Sequence, residues 1–280
     1  MCAAAPSEAE TLPAPKPAGK GAAETGQKAA RVVTSRACEP GAEERRNGMS
    51  VVDSIRKFVV PVHPEGYLFI IAAILLALFV HWLVPALGWL FWFLPAFVAY
   101  FFRDPPRVSP TRDGLVLSPA DGRVSMIGYF PPPAELGLGD APRLRISIFL
   151  SVFDVHINRT PVGGKIRKIA YTPGLFLNAD LDKASQDNER NALVIESPAG
   201  TIACVQIAGL IARRILCFVR EGEDLSPGQR FGLIRFGSRT DIYLPEGAQA
   251  LVSEGQRAIG GETVLCDLSS KEPPRSFRVA

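Results

Sequence analysis

The sequence predicts a mainly β protein, a compact barrel- or sandwich-like domain preceded by a hydrophobic helical hairpin and a disordered N-terminal tail. Three observations predict this. Residues 1–48 hold almost no large apolar side chain, residues 67–102 hold little else, and beyond Asp104 short apolar runs alternate with glycine-bearing turns. Many short strands with turn signals between them point to antiparallel pairing rather than an α/β sheet.

The tail is rich in Ala, Pro, Gly, Lys and Glu. Such a chain buries too little apolar surface to offset the entropy of ordering, so disorder is expected. Glu8, Glu10, Glu24, Glu43 and Glu44 argue against an organelle transit peptide, and no signal-peptide core is present. Composition changes at Met49, the expected functional start of translation. Residues 49–66 form an approach segment carrying Arg56 and Lys57.

Residues 67–102 read as a membrane-associated helical hairpin. Tyr67 to Val84 is about one bilayer crossing and Ala86 to Phe102 nearly a second, with Pro85 and Gly88 at the connection. Cations flank both ends: Arg56 and Lys57 before, Arg103 and Arg107 after. By the positive-inside rule both ends are cytoplasmic, which predicts a cell-membrane protein whose following domain faces the cytoplasm. A hairpin lying in the plane of one leaflet is the other arrangement left open. Trp82, Trp89 and Trp92 cluster about the turn, His81 is placed near the interface, and Pro95 should kink the second segment.

Residues 103–280 form the remaining domain. Strands are expected around Leu115 to Leu117, Arg123 to Tyr129, Leu144 to Val152, Lys165 to Tyr171, Ala192 to Glu196, Thr201 to Ile207, Ile215 to Val219, Phe231 to Ile234 and Thr240 to Leu244. Asp121-Gly122, Gly163-Gly164, Pro173-Gly174, Pro198-Ala199-Gly200 and Pro227-Gly228 supply turns. Leu181 to Arg190 is polar, a loop or a brief helix.

Composition excludes some functions. A net charge of +3, with no basic run interleaved with aromatics, gives no support for a nucleic-acid partner. Five scattered cysteines without a C-x-x-C pair suit a reducing compartment, and neither a disulfide framework nor a metal site is expected. His63, His81 and His156 are the whole histidine inventory.

The chemistry is expected at Arg235-Phe236-Gly237-Ser238-Arg239-Thr240-Asp241, which holds the chain's single Gly-Ser pair between two strands. Glycine lets the backbone twist and expose its carbonyl carbon to the next residue's hydroxyl. Attack by Ser238 on the Gly237 carbonyl would turn the amide into an ester, and eliminating the ester would turn serine into a new reactive group. An ordinary turn is the alternative. Three further places stand out: the Asp121 turn in Ser118-Pro119-Ala120-Asp121-Gly122, His156 within Phe153 to Pro161, and Asn188-Glu189-Arg190. His156 is the one imidazole beyond the apolar run, able near pKa 6.5 to give or accept a proton, with a packing role as the alternative.

In this order, Ser-Pro-x-Asp-Gly, a histidine with proline five residues on, Asn-Glu-Arg and a late Gly-Ser resemble phosphatidylserine decarboxylases. The short prokaryotic type is nearest, and Pro61 to Gly66 and Gln206 to Gly209 fit it too. The resemblance covers roughly residues 49–270. It implies a proenzyme that cuts itself at Gly237-Ser238 into fragments 1–237 and 238–280, which remain together as a heterodimer. Ser238 would become an N-terminal pyruvoyl group, the cofactor. Its ketone would form a Schiff base with phosphatidylserine, the substrate, take up the electrons as carbon dioxide leaves, and release phosphatidylethanolamine. Longer members show an Asp-His-Ser triad that maps onto Asp121 and Ser238. The first histidine of their His-x-x-His-x-Pro pattern maps onto His156, while Arg159 stands at the second, so either His156 serves both steps or Arg159 takes an electrostatic role while another group removes the proton. Arg239 stands where Thr usually follows Gly-Ser. Arg159 in an electrostatic role, and Arg239 facing a carboxylate or phosphate, are possible substrate-binding groups. Two rival readings are a membrane-anchored serine hydrolase and a carrier-like, non-enzymatic β-domain.

Overall fold

A computed structural model describes residues 60–174, 188–209, 214–235, 238–270, 272–273 and 275–278. The expected disorder of the tail, most of the approach segment, residues 181–187 of the polar stretch and Gly237 itself lie outside the described residues.

The apolar run forms three helices, α1 (Tyr67–Leu83), α2 (Pro85–Phe91) and α3 (Phe93–Phe101). Val84 and Pro85 turn the chain between α1 and α2, as expected. Gly88 explains how closely the two pack, since a Cβ there would lie 2.3 Å from the His81 Cα. The second segment breaks at Trp92, three residues ahead of Pro95. Proline has no N–H to donate to the Phe91 carbonyl, so the helical ladder fails at that level. Among the described residues one helix, Pro64–Leu83, is long and apolar enough to cross a membrane, and Pro85–Phe101 is a shorter apolar stretch.

Thirteen strands follow among the described residues: β1 (Leu115–Leu117), β2 (Gly122–Phe130), β3 (Arg143–Leu150), β4 (Ile157–Arg159), β5 (Gly164–Thr172), β6 (Arg190–Ser197) and β7 (Gly200–Ala208), then β8 (Ile215–Cys217), β9 (Asp224–Leu225), β10 (Arg230–Ile234), β11 (Ser238–Tyr243), β12 (Arg257–Ala258) and β13 (Val264–Asp267). Eight of them make an antiparallel sheet in the order β12-β2-β3-β11-β7-β6-β5-β9, curled into a half-barrel. Strands β4, β10 and β8 form a second sheet, and β1 pairs with β13.

β11 lies between β3 and β7, pairing with both along its whole length, and all six of its residues are buried. Its inward side chains alternate with outward ones, as the pleat requires. Ile242 joins Ile146, Ile148, Leu150, Leu244 and Leu265 in the largest core, while Tyr243 joins Ala203, Val205 and Ile207 on the other face. Ser238 and Thr240 share the first face; Arg239 and Asp241 share the second.

Candidate active site

Ser238 is the first residue of β11, opposite Leu150 on β3 and Ala208 on β7. It is fully buried, and its hydroxyl has no hydrogen-bond partner among the described residues. A buried hydroxyl without a partner is costly, so its place here calls for a reason.

His156 precedes β4 and is also fully buried. Its carbonyl accepts from the Ile234 N–H at 3.2 Å, at the end of β10 and four residues ahead of Ser238. The Nδ1 atom lies 2.9 Å from the Asp154 carbonyl oxygen. A carbonyl only accepts, so Nδ1 carries the proton and Nε2 presents a lone pair. Nε2 has no partner. The ring packs on Phe101, at the end of α3, with centroids 4.2 Å apart. Burial outweighs the pull of Asp154 and lowers the imidazole pKa from 6.5 to about 4. At neutral pH this imidazole is a neutral proton acceptor, not the balanced donor and acceptor that its ordinary pKa suggests.

The Ser118–Gly122 turn reaches the same place through Asn158. The Asn158 side-chain amide donates to the Pro119 carbonyl at 3.4 Å and to the Thr240 hydroxyl at 3.3 Å. Its own carbonyl accepts from Gln206 at 2.7 Å, and Gln206 accepts from Asn191 at 2.8 Å. Since Pro119 offers only an acceptor, the polarity of the whole chain of amides is fixed. Asn158 thus ties the Asp121 turn, β4 and β11 together. His156 lies two residues before it, just ahead of β4.

Asp121 is buried, accepting from the Gly260 N–H at 2.7 Å and pairing with Arg107 at 2.6 Å. Burial pushes its carboxyl up from the ordinary range, against the opposing pull of Arg107 and the Gly260 N–H. These bonds occupy the carboxylate, and none runs to His156. Among the described residues no hydrogen bond joins Ser238, His156 and Asp121 in a line.

The two arginines are occupied elsewhere. Arg159 is buried, donating to the Gly228 and Pro105 carbonyls at 3.0 Å each and pairing with Asp104 at 3.2 Å. Arg239, expected to face a substrate carboxylate or phosphate, is 1% exposed and forks onto Asp241 at 2.9 and 3.0 Å. It occupies the face of β11 opposite Ser238. Asn188-Glu189-Arg190 is no solvated turn either: Asn188 donates to the carbonyl of Ala208, the strand partner of Ser238, at 2.7 Å, Glu189 accepts from Tyr171, and Arg190 pairs with Glu135.

Asn158, Gln206, Asn191 and Thr240 were not marked as site residues by their sequence. Amides on strands give no local signal, although Asn158 and Gln206 lie inside stretches that carried the family resemblance.

The sequence model for phosphatidylserine decarboxylase matches residues 94–266. The phosphatidylserine decarboxylase proenzyme of Xanthobacter autotrophicus is 62% identical over 233 residues, which cover 83% of this chain and 100% of that protein. With more than half of its length matched by the family model and a relative this similar from end to end, the chain belongs to the phosphatidylserine decarboxylase family.

Proposed function

We propose that the protein is a pyruvoyl-dependent phosphatidylserine decarboxylase that generates its own carbonyl group by cutting itself before Ser238. One observation carries the reading: the chain's Gly-Ser pair opens β11 with a serine that is fully buried and whose hydroxyl has no partner among the described residues. A reaction that consumes the Ser238 hydroxyl gives its burial without a partner a chemical reason.

The Ser238 hydroxyl bonds to the carbonyl carbon of residue 237, and the peptide C–N bond breaks, leaving an ester and a free amine on Ser238. A base removes the α-proton of Ser238. The released electron pair forms the Cα–Cβ double bond, and the ester oxygen departs with the carboxylate of the upstream fragment. The resulting enamine tautomerises, and water replaces its nitrogen, releasing ammonia and leaving the pyruvoyl ketone. His156 Nε2 is the group we assign as base, since its lone pair is free and its tautomer is held by Asp154. Asp121 positions rather than transfers: with Arg107 and Gly260 it fixes the turn whose Pro119 carbonyl orients Asn158.

The residues present fit the pyruvoyl group, because position 238 is a buried strand end held on both sides. Its ketone supplies an electrophile for the substrate amine and a sink for the electrons left by departing carbon dioxide. The chain excludes water there by burying residues 238–243, and the Arg239–Asp241 pair anchors the new terminus from the opposite face. The two fragments stay associated because Ile242, Leu244 and Leu265 of the smaller one share a core with Ile146, Ile148 and Leu150 of the larger. An apolar hairpin beside the site suits a lipid substrate and supports membrane attachment with the β domain in the cytoplasm. The test is carbon dioxide release from carboxyl-labelled phosphatidylserine by the purified protein. Stoichiometric phosphatidylethanolamine is expected; no release by a self-cleaved protein would overturn the reading.

A further inference from the structure

Between β3 and His156 the chain makes a tight turn, Ser151 to Asp154, that displays one aromatic ring. Phe153 is 62% exposed, while Asp154 and His156 beside it are buried. The turn is built to hold this arrangement. Asp154 accepts from the Ser151 N–H at 2.9 Å and the Ser151 hydroxyl at 2.7 Å, and Arg257 pairs with its other oxygen at 2.5 Å. The Phe153 carbonyl accepts from the Tyr100 hydroxyl at 3.1 Å and from Arg103 at 2.6 Å. Arg103 also donates to the Tyr100 carbonyl at 2.7 Å and lies 3.8 Å over the Tyr100 ring. The Phe153 ring itself meets Phe97 edge-on, with centroids 6.3 Å apart.

Phe97 stands one helical turn before Phe101, the residue that packs on His156. The Phe153 ring is therefore carried about 6 Å up the hairpin from the point where α3 enters the β domain. It lies on the hairpin side of Tyr100 and Arg103, an aromatic–cation pair suited to a membrane–water boundary. Phe153 continues the exposed apolar surface of α3, where Phe93 is 70% exposed. Nothing in the fold benefits from a rigidly held ring in water.

We propose that Phe153 is a membrane contact of the β domain, separate from the hairpin helices, and that seating its ring in the lipid sets His156 at headgroup level. The proposal rests on the reading of the chain as a membrane-attached phosphatidylserine decarboxylase. The occupant is a lipid surface, because the ring continues the face that the hairpin presents to lipid and has a cation at its base.

The test uses the full chain with Phe153→Ser and Phe153→Trp, assayed on two substrates: long-chain phosphatidylserine in vesicles and a short-chain phosphatidylserine dissolved below its micelle concentration. Phe153→Ser should raise the apparent KM for vesicle substrate about tenfold, as expected for loss of one lipid-buried aromatic. It should leave kcat and KM for the soluble substrate, and the mass-measured extent of self-cleavage, unchanged. Phe153→Trp should restore the vesicle KM. An equal loss on both substrates would make Phe153 a support of the His156 turn and overturn the proposal, as would no loss on either. A dimer in wild type that dissociates in Phe153→Ser would give the ring to a second copy and overturn it too. Wild-type protein that is cleaved yet inactive on both substrates would instead defeat the activity reading.

Discussion

In the proposed reaction the chemistry turns on His156, and its environment makes it a proton acceptor. Burial holds its pKa at about 4 rather than 6.5. Maturation of newly synthesised chain should therefore show no inflection near 6.5, the ordinary histidine value; a loss of rate centred there would show a solvated imidazole. Stability follows the same shift. The unfolded chain binds the proton first as pH falls, so stability is lost from about 6.5 down to about 4 and is flat above that window. Thermal melts of Ser238→Ala protein across this range, with and without His156→Gln, should show the slope weakened by the second change. His156→Ala should lower turnover per matured molecule by about a hundredfold or more. Counting pyruvoyl-bearing fragments by mass before measuring carbon dioxide separates that loss from failed maturation. Wild-type turnover in matured His156→Ala protein would exclude it from decarboxylation and confine it to self-cleavage.

β11, where the reaction is proposed, is cross-tied to the elements around it by one side-chain run, Asn191–Gln206–Asn158–Thr240. Asn158→Ala takes away the acceptor of the buried Gln206 amide and the donor to the Thr240 hydroxyl, while the Pro119 carbonyl keeps the Arg159 N–H. It should cost roughly 1–3 kcal/mol of stability and slow maturation. Ser197→Ala, at the far end of the sheet where a half-buried hydroxyl bonds Gly200, should change neither. Melting temperature and cleaved fraction read both, and equal effects of the two changes would deny the amide run any special place. Much of this architecture was legible in the sequence. Strands β2, β3, β5, β6 and β7 fall where apolar runs meet glycine turns, since a half-buried strand must show that pattern. Strand β4, three residues long, was not legible, because its pairing with β10 is set by tertiary contact rather than local preference. Ser238, Asp121 and His156 were visible as motif residues. Their spacing was not, and the buried fork of Arg239 onto Asp241 was hidden because a charged residue after a serine ordinarily reads as solvated.

The molecule as a whole couples an apolar hairpin to a β domain through the end of α3, where Phe101 touches His156 and Arg103 holds the Phe153 turn. Carbonate washing should leave the larger fragment in membranes, and protease outside right-side-out vesicles should spare the β domain. Digestion there would reverse the orientation inferred from Arg103 and Arg107. The central claim is that the chain makes its own reactive carbonyl at Ser238. Intact mass spectrometry of the purified wild-type protein beside Ser238→Ala tests it directly. The wild type should give two fragments, the smaller beginning at position 238 and lighter by one ammonia than the same peptide with an N-terminal serine, while Ser238→Ala gives one inactive chain. An uncut wild-type chain that decarboxylates phosphatidylserine, or an active single-chain Ser238→Ala protein, would contradict it.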